Sequence, residues 1–238
     1  MKKQLYILFI LVSVLFSTET FAQLQQKPNS PPKKTRILFL LDGSGSMQAT
    51  WEGRTRMDIA KDLLYKLVDS LSTLPDISLG LRVYGHQYHK QYGNCADTKL
   101  EAPFAPNNKQ HIKQKLYDIK PQGVTPIAYS LEQAAYDFPE SKKYRNVIII
   151  ITDGLESCDG DPCKVSKALQ KKHIFLSPFI VGIGIKADLT KQFSCVGTYY
   201  GASTVSSFKS IMQSIIKRTT ADGMIRVDLL DSNGKPTE

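Results

Sequence analysis

Cysteine is scarce in this chain, with four in 238 residues and none before Cys95. No cysteine therefore stands near the N-terminus to become a lipid-modified first residue. Acidic residues are outnumbered, 22 against 31 basic, for a formal charge of +9. The basic residues are dispersed, however, and no basic stripe with interleaved aromatics is present, which argues against nucleic-acid binding. Attraction to anionic surfaces or acidic partners fits the same charge. Long apolar runs are also missing, apart from residues 5–16, which are interrupted only by Ser13. No other stretch could cross a bilayer.

That single run follows Lys2 and Lys3 and precedes Thr20-Phe21-Ala22, the layout of a secretory signal peptide over residues 1–22. An uncleaved anchor is the alternative, but the run is short for a span of about 20 apolar residues. The expected mature protein is periplasmic or secreted, with no membrane span after signal cleavage. Residues 23–34, rich in Gln, Pro and Lys, cannot bury an apolar face and read as a flexible tether. The remainder has an ordinary globular composition, 42% hydrophobic and 22% charged, enough for one core.

Four short apolar runs occur at wide intervals, over residues 37–41, 77–84, 147–151 and 179–185. Val147-Ile148-Ile149-Ile150-Ile151 shows no alternation, so both faces must be covered, as in the central strands of a parallel sheet. Between the runs lie amphipathic stretches over 57–71, 127–138, 165–172 and 205–216. This alternation specifies an α/β fold with three layers, a doubly wound, mostly parallel sheet flanked by helices. Residues 224–230, followed by Asp231-Ser232-Asn233-Gly234, read as a strand entering a hairpin, either an edge strand or the stub of a further β-domain over 220–238.

In such a sheet the ligand site lies outside the carboxyl ends of the strands. Three polar clusters fall there. The first run ends in Asp42-Gly43-Ser44-Gly45-Ser46, whose glycines are expected to allow unusual backbone angles. Gly123-Val124-Thr125-Pro126 opens a helix, where Thr125 could simply act as a cap. Thr152-Asp153-Gly154 ends the most apolar strand, where a plain turn would look the same. Each is weak alone.

Taken together, Asp-x-Ser-x-Ser, Thr and Asp in this order resemble the metal-ion-dependent adhesion site of the von Willebrand factor A family, over residues 35–219. The resemblance implies a Mg²⁺ ion, or Mn²⁺ or Ca²⁺, held by Asp42, Ser44, Ser46, Thr125 and Asp153. Ser44, Ser46 and Thr125 would be direct ligands, with the two aspartates acting largely through water. Hydroxyl and carboxylate oxygens suit such a hard cation. The implied function is non-catalytic protein binding, in which a partner's Asp or Glu carboxylate completes the coordination.

Export puts Cys95, Cys158, Cys163 and Cys195 in an oxidising compartment, where two disulfides are favoured. Four cysteines permit three pairings, and counting does not choose among them. The text around His86 to Asp97, the loop 156–163 and Cys195 resembles a bacterial exported branch of the family. If that fold holds, it favours Cys95 with Cys158 and Cys163 with Cys195, with the local pair Cys158 and Cys163 as the rival. Four other readings compete. His86, His89 and Cys95 could bind zinc; Glu156, Asp159 and Asp161 could hold a second cation such as Ca²⁺; His86 or His89 could serve a metal-dependent hydrolase; and the domain could be a structural component of an envelope assembly, its metal serving only folding.

Overall fold

The five residues Val147 to Ile151 set the layering, because each is fully buried and neighbours along a strand point to opposite faces. Val147, Ile149 and Ile151 join one apolar cluster, while Ile148 and Ile150 join another. The strand before them in space divides in the same way, with Ile37, Phe39 and Leu41 on one face and Leu38 and Leu40 on the other. The sheet thus lies between two cores. At about 1.5–3 kcal/mol for each fully buried aliphatic side chain, these two strands anchor the domain.

The computed structural model describes residues 34–141, 143–171, 179–183 and 193–220. In chain order the elements are β1 (Lys34–Asp42), a short hairpin of β2 (Thr50–Trp51) and β3 (Arg54–Thr55), α1 (Arg56–Leu71), β4 (Ile77–Tyr84) and β5 (Thr98–Ala102). There follow α2 (Lys109–Asp118), α3 (Ile127–Tyr136), β6 (Tyr144–Thr152), α4 (Pro162–Lys171), β7 (Phe179–Ile183), β8 (Thr198–Ala202) and α5 (Val205–Thr220). The main sheet has the order β5-β4-β1-β6-β7-β8. Only the β4–β5 pairing is antiparallel. Apolar residues of α1, α2 and α5 cover one face, and those of α3 and α4 the other. This is the mostly parallel, helix-flanked sheet expected above.

The structure also adds and corrects. Lys34, read as tether, opens β1. β5, β8 and α2 are elements that the apolar pattern did not announce. β5 is an edge strand with two charged residues among five, and α2 buries only Ile112 and Leu116. The expected leader, most of the tether, residues 184–185 and the C-terminal strand lie outside the described residues. Among the described residues no helix is long and apolar enough to cross a membrane.

The strand order positions the site. The chain leaves β1 toward β4 on one side and leaves β6 toward β7 on the other. The loops after the adjacent strands β1 and β6 therefore diverge, and a crevice opens at their carboxyl ends.

Candidate functional site

Asp42 is the last residue of β1 and fully buried. Its Oδ1 accepts the Ser44 amide at 2.8 Å and its Oδ2 accepts the Thr152 hydroxyl at 2.7 Å, so both central strands hold this one carboxylate. Ser44 Oγ and Ser46 Oγ lie 2.9 Å apart, and Ser46 Oγ donates to Asp153 Oδ1 at 2.7 Å. Because the single Ser46 proton goes to Asp153, Ser44 is the donor of the serine pair. The other oxygen of Asp153, Oδ2, accepts Arg56 Nη1 at 2.7 Å.

Thr125 reaches the same crevice through the main chain. Gly123 forms a parallel bridge with Ser44, and the Gly45 amide donates to the Gly123 carbonyl at 2.9 Å. Thr125 itself is buried, its amide donating to Ser157 Oγ at 2.8 Å. It does not cap the helix that follows. The Ala128 amide in the first turn of α3 is instead taken by Glu156 Oε2 at 2.6 Å. Asp42, Ser44, Ser46 and Asp153 are thus joined in one chain of hydrogen bonds, and the segment that carries Thr125 is bridged to Ser44 through Gly123.

Two glycines matter here, Gly43 for space rather than for the unusual backbone angle expected of it. A Cβ on Gly43 would sit 2.7 Å from the Tyr84 carbonyl and 2.8 Å from His86 Cβ, so the loop after β1 can pass this close to β4 only as glycine. Gly85 does need a left-handed backbone, with φ of 67°, and its missing side chain admits the Val124 carbonyl and the Ser44 main chain.

Burial pushes the Asp42 carboxyl up to about 6, the neighbouring Asp153 charge adds to the rise, and hydrogen bonds from Ser44 and Thr152 offset part of it. Two carboxylates held close in a buried, oxygen-lined crevice fit a divalent cation, which would relieve their repulsion. The donors are all oxygens, the set that a hard ion such as Mg²⁺ takes. The residues present therefore suit the metal that the family resemblance implies.

The competing readings fare differently. Cys95 is bonded to Cys158, with Cα atoms 5.6 Å apart, and Cys163 to Cys195, with Cα atoms 5.3 Å apart. Cys95 is thus no free thiolate for zinc, and the local pair Cys158 with Cys163 does not form. Among the described residues no group of three His, Cys, Asp or Glu side chains could hold a metal. The acidic loop is occupied otherwise, since Glu156 caps α3 and also accepts the Cys158 amide, while Asp161 Oδ1 accepts the Lys164 amide. His86 Nε2 lies 3.0 Å from Glu101 Oε1, and His89 Nδ1 accepts the Gln91 amide. Burial pushes Glu101 up, but hydrogen bonds from Lys99 and His86 and their nearby charge prevail and hold it below the usual carboxylate range.

Several residues of the site carry no motif. Asp97, buried, accepts the amides of Gln87 at 3.0 Å and Tyr88 at 3.1 Å and so shapes the loop after β4. Gln122 Nε2 donates to the His86 carbonyl at 2.8 Å and ties that loop to the Thr125 segment. Arg56 and Thr152 touch the two aspartates directly. Thr152 belongs to a recognised cluster without having been given a role there, but nothing local to Arg56 shows that its side chain crosses to Asp153.

Comparison with known proteins agrees with this fold. The von Willebrand factor type A domain family matches residues 37–218. The chain belongs to that family. It is 29% identical over 222 residues to the uncharacterized protein YwmC of Bacillus subtilis (strain 168), covering 89% of this chain and 96% of that one. A conserved hypothetical protein, BatB from Bacteroides thetaiotaomicron, superposes with a TM-score of 0.60 at 23% identity, covering 77% of this chain and 98% of that one. Proximal thread matrix protein 1 from the mussel byssus, in a structure described as having a zinc-occupied MIDAS motif, gives a TM-score of 0.62 at 19% identity, covering 79% and 46% of the two chains. At these identities the structural likeness speaks for the fold alone.

Proposed function

We propose that this protein is an exported, non-catalytic binding module that grips a partner protein through a divalent cation, with Mg²⁺ the native ion. The observation that supports this reading is the hydrogen-bonded chain of Asp42, Ser44, Ser46 and Asp153 outside the ends of β1 and β6, with two buried carboxylates and neutral hydroxyls, to which the Thr125 segment is bridged through Gly123. Neutral hydroxyl ligands leave a bound cation under-neutralised. A partner's Asp or Glu carboxylate would supply the missing anionic oxygen. The chain's own part is to hold its donors still, which the Thr152, Ser157 and Gly123 hydrogen bonds do. The leader-like residues 1–22 and the two disulfides favour an oxidising compartment outside the cytoplasm.

The test has two linked parts. Thermal melting in EDTA and in millimolar Mg²⁺ or Mn²⁺ should show a metal-dependent rise that Asp42→Ala and Thr125→Ala abolish. A partner captured from a native envelope extract in Mg²⁺ should elute with EDTA and fail to bind either variant. Capture that is indifferent to EDTA and to both substitutions would refute the proposal.

A further inference from the structure

The guanidinium of Arg56 is a charge beside the site that the metal-binding pattern does not include. Arg56 opens α1, and its side chain is 21% exposed while that of Asp153 is fully enclosed. One carboxylate separates Arg56 from the serine loop, since Asp153 takes Ser46 on Oδ1 and Arg56 on Oδ2. Arginine does not deprotonate in proteins, so this positive charge is permanent.

The charge count has a consequence. Asp42 and Asp153 bring two negative charges, and Arg56 returns one positive charge. A divalent cation would then be less fully offset than by the two carboxylates without Arg56 beside them. Resting on the metal-dependent binding reading above, we propose that Arg56 is a specificity-determining positioning residue. Through Asp153, it weakens the hold on the cation and strengthens the hold of the loaded site on a carboxylate. It gives up metal affinity for anion affinity. Lys90 brings a second basic residue near the serine loop, its Cδ lying 3.6 Å from where a Cβ on Gly45 would stand. The favoured partner segment is accordingly acidic beyond one carboxylate, in keeping with the chain's charge of +9.

A merely structural role for Arg56 predicts the opposite sign for the first effect. If Arg56 only steadied Asp153, its removal would loosen the site and weaken metal binding. On the electrostatic account, removal of a unit charge one carboxylate away from the serines tightens it.

The experiment measures Mn²⁺ affinity by calorimetry at low salt for the wild-type full chain, Asp42→Ala, Arg56→Gln, Arg56→Met and Arg56→Lys, each checked for folding by melting. Arg56→Gln should bind Mn²⁺ about three- to tenfold more tightly, with Arg56→Lys close to wild type. Acetate then serves as the carboxylate probe, read by loss of water-proton relaxation from bound Mn²⁺. Arg56→Gln should need about threefold more acetate for the same loss. Should Arg56→Gln fail to fold, Arg56→Met carries the same expectation. Weaker Mn²⁺ binding in the neutral variants, or unchanged acetate dependence, would overturn the role of Arg56 and leave the metal site standing. A wild-type protein that binds no Mn²⁺ would overturn the metal reading itself.

Discussion

Between β4 and the end of α3, Arg82 meets Asp137 as a closed fork, with Nε to Oδ2 at 2.6 Å and Nη2 to Oδ1 at 2.7 Å. At the carboxyl ends of β1 and β6, Arg56 instead takes one oxygen of Asp153 and leaves the other to Ser46. The residue types are the same, but their use is not. The Arg82 pair is nearly sealed, at 9% and 6% side-chain exposure, and both carboxylate oxygens are committed to one partner. It braces β4 against the end of α3. The Arg56 pair divides its carboxylate between a helix start and the serine loop, so Asp153 can respond to what occupies the crevice. A buried pair with both oxygens in one fork acts as scaffold, and a pair with its oxygens shared acts as part of a site.

The sharpest way to break this comparison is to remove Arg82. Arg82→Met should leave Asp137 charged and enclosed, costing roughly 3–5 kcal/mol of stability. The measurement is urea unfolding in EDTA, followed by Mn²⁺ titration of the folded protein at low temperature. Stability should fall while metal affinity stays within about twofold of wild type. If metal affinity collapses together with stability, the two pairs are not separate in function.

The next effect concerns the two carboxylates of the crevice. The folded-state value of Asp42, about 6, lies above its ordinary value of 3.8. A carboxyl shifted upward binds its proton more tightly when folded, so its contribution to stability is present below the ordinary value and is lost as pH rises through about 6. Metal-free protein should therefore melt higher at pH 5 than at pH 7.5. The difference attributable to Asp42 between these two pH values is on the order of 1.4 kcal/mol, because pH 5 lies about one unit below the folded-state value. In Asp42→Asn the pH trend should flatten, and the variant should exceed wild type in EDTA at pH 7.5. Added Mg²⁺ should stabilise the wild type more at pH 7.5 than at pH 5, because the proton competes for the same carboxylate. Calorimetric melts across this range that show no Asp42-dependent trend would mean that the two aspartates are already compensated without a metal.

Different parts of this picture were open to sequence reasoning for different physical reasons. β6 was plain because a strand buried on both faces must be apolar at every position, as Val147 to Ile151 are. The candidate site residues were visible because strand ends fix where Asp42 and Asp153 stand, and one family pattern joins them to Thr125. β5 was hidden because an edge strand can carry Lys99 and Glu101 at no cost. Arg56 was hidden for another reason. Its meaning depends on a contact across 97 positions, and no local pattern encodes which carboxylate a helix-start arginine will reach. The glycines were seen as important but for the wrong cause at Gly43, where crowding by Tyr84 and His86 decides the residue type.

The smallest effect tests how Arg56 is held. Thr55 caps α1, with its Oγ1 accepting the Asp58 amide at 3.0 Å and donating to Asp58 Oδ2 at 2.6 Å. Arg56 is the first helical residue, so this cap fixes the backbone from which its side chain sets out. Thr55→Ala should cost about 1 kcal/mol, read as a modest drop in the urea midpoint. Ser46 still holds Asp153 in that variant, so Mn²⁺ affinity should change by less than about twofold. A larger rise in affinity would show that fraying the helix start releases Arg56 from Asp153. In that case the cap would belong to the site, and the start of α1 would differ from the Arg82 fork in geometry but also in how easily it lets go.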